Sequence, residues 1–156
     1  RIDLKQIFRL LATLFYAGYF PVAPGTVGTI LALIVYLIIP KTVLELSCFW
    51  LFPLLVIIPA VLITGEAEKL MQRDDKRIVL DEFVGFFFAV LFLPKTIAIA
   101  VAAFLLFRLF DIIKPPPIDT IQRWKRGWGI VFDDVMAGIY ANLLIQIGYF
   151  IFLLTG

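Results

Sequence analysis

Five carboxylates carry the chemistry open to this chain: Asp81, Glu82, Asp111, Asp133 and Asp134. Each lies at or near the end of an apolar segment, in a chain that is 62% hydrophobic and 17% charged. Crowded acids repel one another and are costly to remove from water, so their grouping implies a cation that holds them. A divalent metal with a phosphate-bearing substrate meets that need, because a hard cation such as Mg²⁺ takes carboxylate, water and phosphate oxygens. Absences narrow the chemistry. The chain has no His, which removes phosphohistidine intermediates, imidazole bases and imidazole ligands. Cys48 has no Arg at the spacing of a cysteine-phosphatase loop and is expected only to pack. There is no Asp-x-Asp signature of an aspartyl-phosphate enzyme. Metal-assisted attack by water remains.

The acids come with cations and hydroxyls. Arg108, Asp111 and Lys114 recur at intervals of three and form one stripe on a helix. A salt-bridge ladder is the bland account, but Arg108 and Asp111 interrupt an apolar span, where an unmatched charge costs ~2.5–3.5 kcal/mol or more. The functional account puts Asp111 on the metal or makes it the base for water, with Arg108 and Lys114 on phosphate oxygens. The run from Pro24 through Gly25, Thr26 and Gly28 to Thr29 opens a helix. It reads either as a Pro/Gly helix start or as a phosphate-binding turn, in which the Gly25 backbone and Thr26 would touch substrate. Asp81-Glu82 and Asp133-Asp134 each open a further helix, where the dipole alone favours acids. Two such pairs on one face go beyond capping. Asp81, Glu82, Asp133 and Asp134 are the expected metal ligands, and Asp81, Asp111 and Asp134 the expected catalytic residues. Each pair is followed about one turn later by a small residue, Gly85 or Gly138, a likeness of local design.

The elements that must position these residues are apolar helices. A mean hydropathy of +1.01 and 16 Phe make an integral membrane protein the leading class. The expected fold is an all-α polytopic bundle of about five spans, 26–39, 49–64, 83–93, 97–113 and 131–154, forming a single domain over 1–156. Residues 1–20 form an N-terminal amphipathic helix, interfacial or partly inserted, and 21–156 the catalytic bundle. The third span is short and is expected to start before Asp81 or to sit within the protein. Arg1, Lys5 and Arg9 precede the first span; Lys69, Arg73, Lys76 and Arg77 lie between the second and third; Lys114, Arg123, Lys125 and Arg126 lie between the fourth and fifth. The alternate loops carry only Lys41 and Lys95, so the acids are expected to face the cytoplasm. Arg123, Lys125 and Arg126, beside Trp124 and Trp128, either anchor topology or steer an anionic headgroup. Gly127 and Gly129 are expected in a turn. No cleavable signal segment and no nucleic-acid partner are expected.

Four blocks in order resemble the bacterial phosphatidylglycerophosphatase A family: Pro24-Gly25-Thr26-Val27-Gly28, Asp81 to Gly85, Phe107 to Ile118, and Gly127 to Asp134 continuing through Ala137-Gly138. The resemblance implies a Mg²⁺-dependent enzyme of the bacterial inner membrane, with its active site facing the cytoplasm. It would hydrolyse the phosphomonoester of phosphatidylglycerophosphate to phosphatidylglycerol and phosphate. Two rivals follow from the residues alone: a Mg²⁺-dependent phospholipid headgroup transferase, and an ion or proton transporter, since intramembrane acids also mark ion paths.

Overall fold

The computed structural model describes residues 3–46, 48–71 and 75–155, so Arg1 and Arg73 of the charge pattern lie outside the described residues. These residues form eight α-helices and one 3₁₀ turn, with no strand among them. In order they are α1 (Leu4–Ala12), the 3₁₀ turn Ala17–Tyr19, α2 (Pro24–Ile38), α3 (Lys41–Leu44), α4 (Leu51–Met71), α5 (Leu80–Ala89), α6 (Ile97–Ile113), α7 (Ile118–Ile121) and α8 (Gly127–Thr155).

The short third segment is the centre of the structure. α5 has ten residues, about 15 Å of helix. It is buried almost continuously from Val84 to Ala89, with Phe86 and Phe87 packed against Tyr36 of α2, Phe52 of α4 and Phe107 of α6. It therefore sits within the protein. Its most extensive partner is α8. The two helices approach so closely at Gly85 and Gly138 that a Cβ on Gly138 would strike the Gly85 carbonyl oxygen, and a Cβ on Gly85 would lie 2.7 Å from the Asp134 carbonyl oxygen. The likeness between the two acid-then-glycine segments thus has a physical meaning: each glycine is the contact point that brings its own acid pair beside the other. The inner end of α5 would leave backbone carbonyls unpaired in an apolar setting. Asn142 of α8, itself buried, donates to Ala89 O at 3.1 Å and Leu91 O at 2.7 Å, and its own oxygen accepts from Gln146 at 2.6 Å.

Two helices, α4 and α8, are long and apolar enough to cross a membrane. At 15 and 17 residues, α2 and α6 fall short of the ~20 residues of a full perpendicular span. Leu55 and Leu62 of α4, Leu105 of α6 and Phe150, Phe152 and Leu154 of α8 all point outward, an exterior suited to lipid.

Several boundaries differ from the sequence reading. The N-terminal helix stops at Ala12 rather than running to residue 20. Thr13 turns its hydroxyl onto Arg9 O at 2.9 Å, and Leu14, Phe15 and Tyr16 take left-handed backbone conformations. The reason is tertiary. Gly18 packs on the Arg77 carbonyl with no room for a side chain, Val79 N donates to Ala12 O at 2.9 Å, and the Arg77 guanidinium lies 5.1 Å from the Tyr19 ring centre. The last helix begins at Gly127, so Gly127 and Gly129 are helical rather than in a turn. They are small because α4 and the 122–124 segment press on them: a Cβ on Gly127 would meet the Val61 carbonyl, and one on Gly129 the Gln122 and Trp124 carbonyls.

Candidate metal and phosphate site

Four helix ends converge on one cavity of about 570 Å³. The N-terminus of α2 supplies Gly25, that of α5 Asp81 and Glu82, and the first turns of α8 Asp133 and Asp134; the C-terminal end of α6 supplies Arg108, Asp111 and Lys114. The starts of α2 and α5 bring positive dipole ends toward the acids; Asp133 and Asp134, expected to open the last helix, instead lie roughly two turns inside α8, which begins at Gly127. Of the predicted site residues, all but Thr26 line this cavity. Gly25 is there for a reason the sequence did not disclose. A Cβ at this position would run into Glu82 Oε1 and lie 3.2 Å from Arg108 Nη1.

The carboxylates divide into two sets. Asp111 and Asp133 are held by cations: Arg108 Nη1 donates to Asp111 Oδ2 at 2.6 Å, and Lys114 Nζ to Asp133 Oδ2 at 2.5 Å, with Asp111 Oδ1 at 3.9 Å from the same nitrogen. Asp133 Oδ1 also accepts from the Asp134 backbone N–H at 3.0 Å. Burial works against the Lys114 charge, but Asp133, Asp134 and Asp111 outweigh it and hold its pKa above the usual lysine value. Lys114 reaches them from a left-handed backbone conformation, φ 48°, that ends α6, a geometry a non-glycine residue adopts only where its surroundings enforce it.

The second set makes no ion pair among the described residues. Asp81 Oδ1, Glu82 Oε2 and Asp134 Oδ2 are buried without a hydrogen-bond partner among the described residues, and so is Arg108 Nε. One oxygen from each of Asp81, Glu82 and Asp134 lies within 4.8 Å of the others. Orphaned buried carboxylates are among the most costly groups a protein can hold. An all-oxygen set of this kind fits a hard divalent cation that keeps some of its waters. Asp133, expected beside them as a ligand, is paired with Lys114 through Oδ2. A second cavity, of about 610 Å³, opens at the far end of α2; its one carboxylate, Glu45, pairs with Lys41 at 3.5 Å.

Sequence reasoning missed Lys76 and Gln122, which also line the site cavity, and Asn142, which braces α5 from behind. The signal for Asn142 was an amide within an apolar run, with a second amide, Gln146, one turn further on.

This is a helical membrane protein built around a buried carboxylate cluster flanked by paired cations. Residues 10–149 match the profile described as Phosphatidylglycerophosphatase A. The chain is 35% identical over 148 residues to the phosphatidylglycerophosphatase A of Haemophilus influenzae, covering 93% of this chain and 90% of that protein. It is 34% identical over 153 residues to that of Escherichia coli K12, covering 96% and 88%. It is also 35% identical over 148 residues, 88% and 91% of the two chains, to a Bacteroides thetaiotaomicron protein provisionally named phosphatidylinositol-3-phosphatase. No solved structure matches the chain significantly. The chain belongs to the phosphatidylglycerophosphatase A family. That membership sets it among phosphatases and against the transferase and transporter readings.

Proposed function

We propose that this protein hydrolyses the terminal phosphomonoester of phosphatidylglycerophosphate to phosphatidylglycerol and phosphate, with Mg²⁺, at the cytoplasmic face of the bacterial inner membrane, as a polytopic protein of about five spans. The observation that carries the reading is the trio of unpartnered buried carboxylate oxygens beside Arg108 and Lys114 in one cavity. The cytoplasmic orientation rests on the positive charge gathered at that end.

In this reading Asp81, Glu82 and Asp134 hold Mg²⁺. The bound ion supplies charge neutralisation for phosphate oxygens and acidifies water at the site. Arg108, whose Nε is still free, and Lys114 donate to the phosphoryl oxygens. Asp111 and Asp133 orient those two cations through the ion pairs at 2.6 and 2.5 Å. Asp111 also takes the proton of the attacking water. The water oxygen bonds to phosphorus, the bond from phosphorus to the glycerol oxygen breaks, and that oxygen is protonated by solvent in the open cavity. Acyl chains stay in lipid beside the helices, so only the headgroup enters.

The name of the Bacteroides relative supports a second reading, a 3-phosphate on phosphatidylinositol. Both headgroups are phosphomonoesters of a polyol joined to diacylglycerol through a phosphodiester. Phosphate release by purified protein in detergent, from each lipid, with Mg²⁺ and with EDTA, tests both. Release from phosphatidylglycerophosphate that EDTA abolishes and Mg²⁺ restores is the expected result; release from the inositol lipid alone would establish the second reading, and release from neither would overturn both.

A further inference from the structure

Pairing off the charges of the site cavity leaves a remainder. Its acids are Asp75, Asp81, Glu82, Asp111, Asp133 and Asp134, and its cations Lys76, Arg108 and Lys114. Asp75 is taken by Arg77, whose Nε and Nη2 donate to it at 2.9 and 2.5 Å and hold its pKa below the usual carboxylate value. Asp111 and Asp133 are taken by Arg108 and Lys114. Asp81, Glu82 and Asp134 are assigned to the proposed cation site. Lys76 remains. It is exposed, lines the cavity, and has no ion pair or hydrogen bond through its side chain among the described residues. Gln122 also lines the cavity, and its side chain makes no hydrogen bond among the described residues.

These two residues flank the same wall of the cavity. Ile78, two residues after Lys76, and Ile130 at the start of α8 share one apolar cluster with Ala12 and Ala67. Gln122 is held beside that helix start, where its carbonyl closes on Gly129. The wall is fixed from behind by α1, through the bond from Val79 N to Ala12 O and the seat of Gly18 on Arg77. A cation and an amide donor on a pinned wall, apart from the metal cluster, are suited to a second anionic group of low charge.

We infer that Lys76, with Gln122, forms a phosphodiester subsite, so that the cavity reads two phosphates on one lipid: the monoester at the carboxylate cluster and the diester that joins the headgroup to diacylglycerol. This rests on the phosphatase reading above and deepens it. The terminal phosphate alone does not distinguish such a lipid from phosphatidate, whose single phosphate is a monoester carried directly on diacylglycerol. The diester does, and Lys76 is the residue that detects it.

The test compares kcat/KM for phosphatidylglycerophosphate and for phosphatidate in mixed micelles with Mg²⁺. Lys76→Gln is expected to raise KM for the two-phosphate lipid about threefold to fivefold with kcat little changed, the upper range for one charge pair at an exposed position, and to leave phosphatidate hydrolysis as it was. Lys76→Arg restores most of the preference. Lys41→Gln, which removes the same charge at the far end of α2, leaves the ratio at the wild-type value. Equal loss on both lipids, or an unchanged ratio in Lys76→Gln, would overturn the subsite while leaving the phosphatase reading intact. Failure of the wild-type protein to release phosphate from the two-phosphate lipid would overturn that reading itself.

Discussion

The contact between α5 and α8 sets the spacing of the carboxylates, and adding one methyl group tests this. In Gly85→Ala the new Cβ lies 2.7 Å from the Asp134 carbonyl oxygen and 2.9 Å from its carbonyl carbon. Ordinary contact begins near 3.4 Å, so the helices must part by roughly 0.7 Å at this level, and both obstacles are backbone atoms that cannot rotate away. Asp81 and Glu82 stand one turn from Gly85 on one side of the gap, and Asp134 on the other. Metal sites tolerate about 0.2 Å in ligand distance, and misplacements near 1 Å cost about 100-fold in rate. The expected outcome is a folded protein destabilised by about 1–3 kcal/mol, with apparent Mg²⁺ affinity lowered roughly 10–100-fold. The assay is a Mg²⁺ titration of phosphate release together with thermal unfolding in detergent. Gly148→Ala, on the same α8 but with nothing within 4 Å of the added Cβ, should leave both readouts at wild type. A Gly85→Ala protein with wild-type Mg²⁺ dependence would refute the idea that this crossing spaces the ligands.

Other outcomes follow from the same geometry. Asp134→Asn should lose all activity at normal expression, measured as phosphate release with membrane content determined by immunoblot; full activity with both Asp81 and Asp134 neutralised would sink the proposed metal site. Lys114→Met should destabilise the protein by roughly 3–5 kcal/mol, because it strands the buried Asp133 carboxylate; Lys114→Met with Asp133→Asn should recover stability in thermal unfolding without recovering activity. Asn142→Leu leaves the carbonyls of Ala89 and Leu91 without their donor and should cost about 1–3 kcal/mol, read as a lower unfolding temperature. Cys48, expected only to pack, is instead exposed, at the end of the bundle away from the acids, so a membrane-impermeant maleimide should label it in spheroplasts without lysis; labelling only after lysis would reverse the orientation.

The helices were legible where apolar runs are bounded by proline or charge, as at Pro24, Pro40 and the run from Pro115 to Pro117. The candidate site was legible because carboxylates in an apolar chain have so few reasons to exist. Which carboxylates stand free was not. Asp133 and Asp134 are adjacent in sequence, yet only the three-dimensional position of Lys114 pairs one and leaves the other unpaired. Thr26 and Gly25 are likewise neighbours, but only Gly25 lines the cavity. The N-terminal helix was drawn too long because nothing local forbids its continuation; its end is enforced by the backbone at Arg77, far away in the chain. The burial of α5 could be anticipated from its length, whereas its brace, Asn142, could not be assigned to it without the fold.

The order of the site residues along the chain has a consequence for biosynthesis. Gly25, the Asp81-Glu82 pair and the cations of α6 are all made before Asp133 and Asp134. A nascent chain ending before α8 therefore holds α5 without its principal packing partner, and Arg108 and Lys114 without the last of the acids. A short helix that starts with two carboxylates is a poor candidate to settle alone in the bilayer. Its final seating waits for α8 to be synthesised, so nascent chains that stop short of α8 carry no assembled centre.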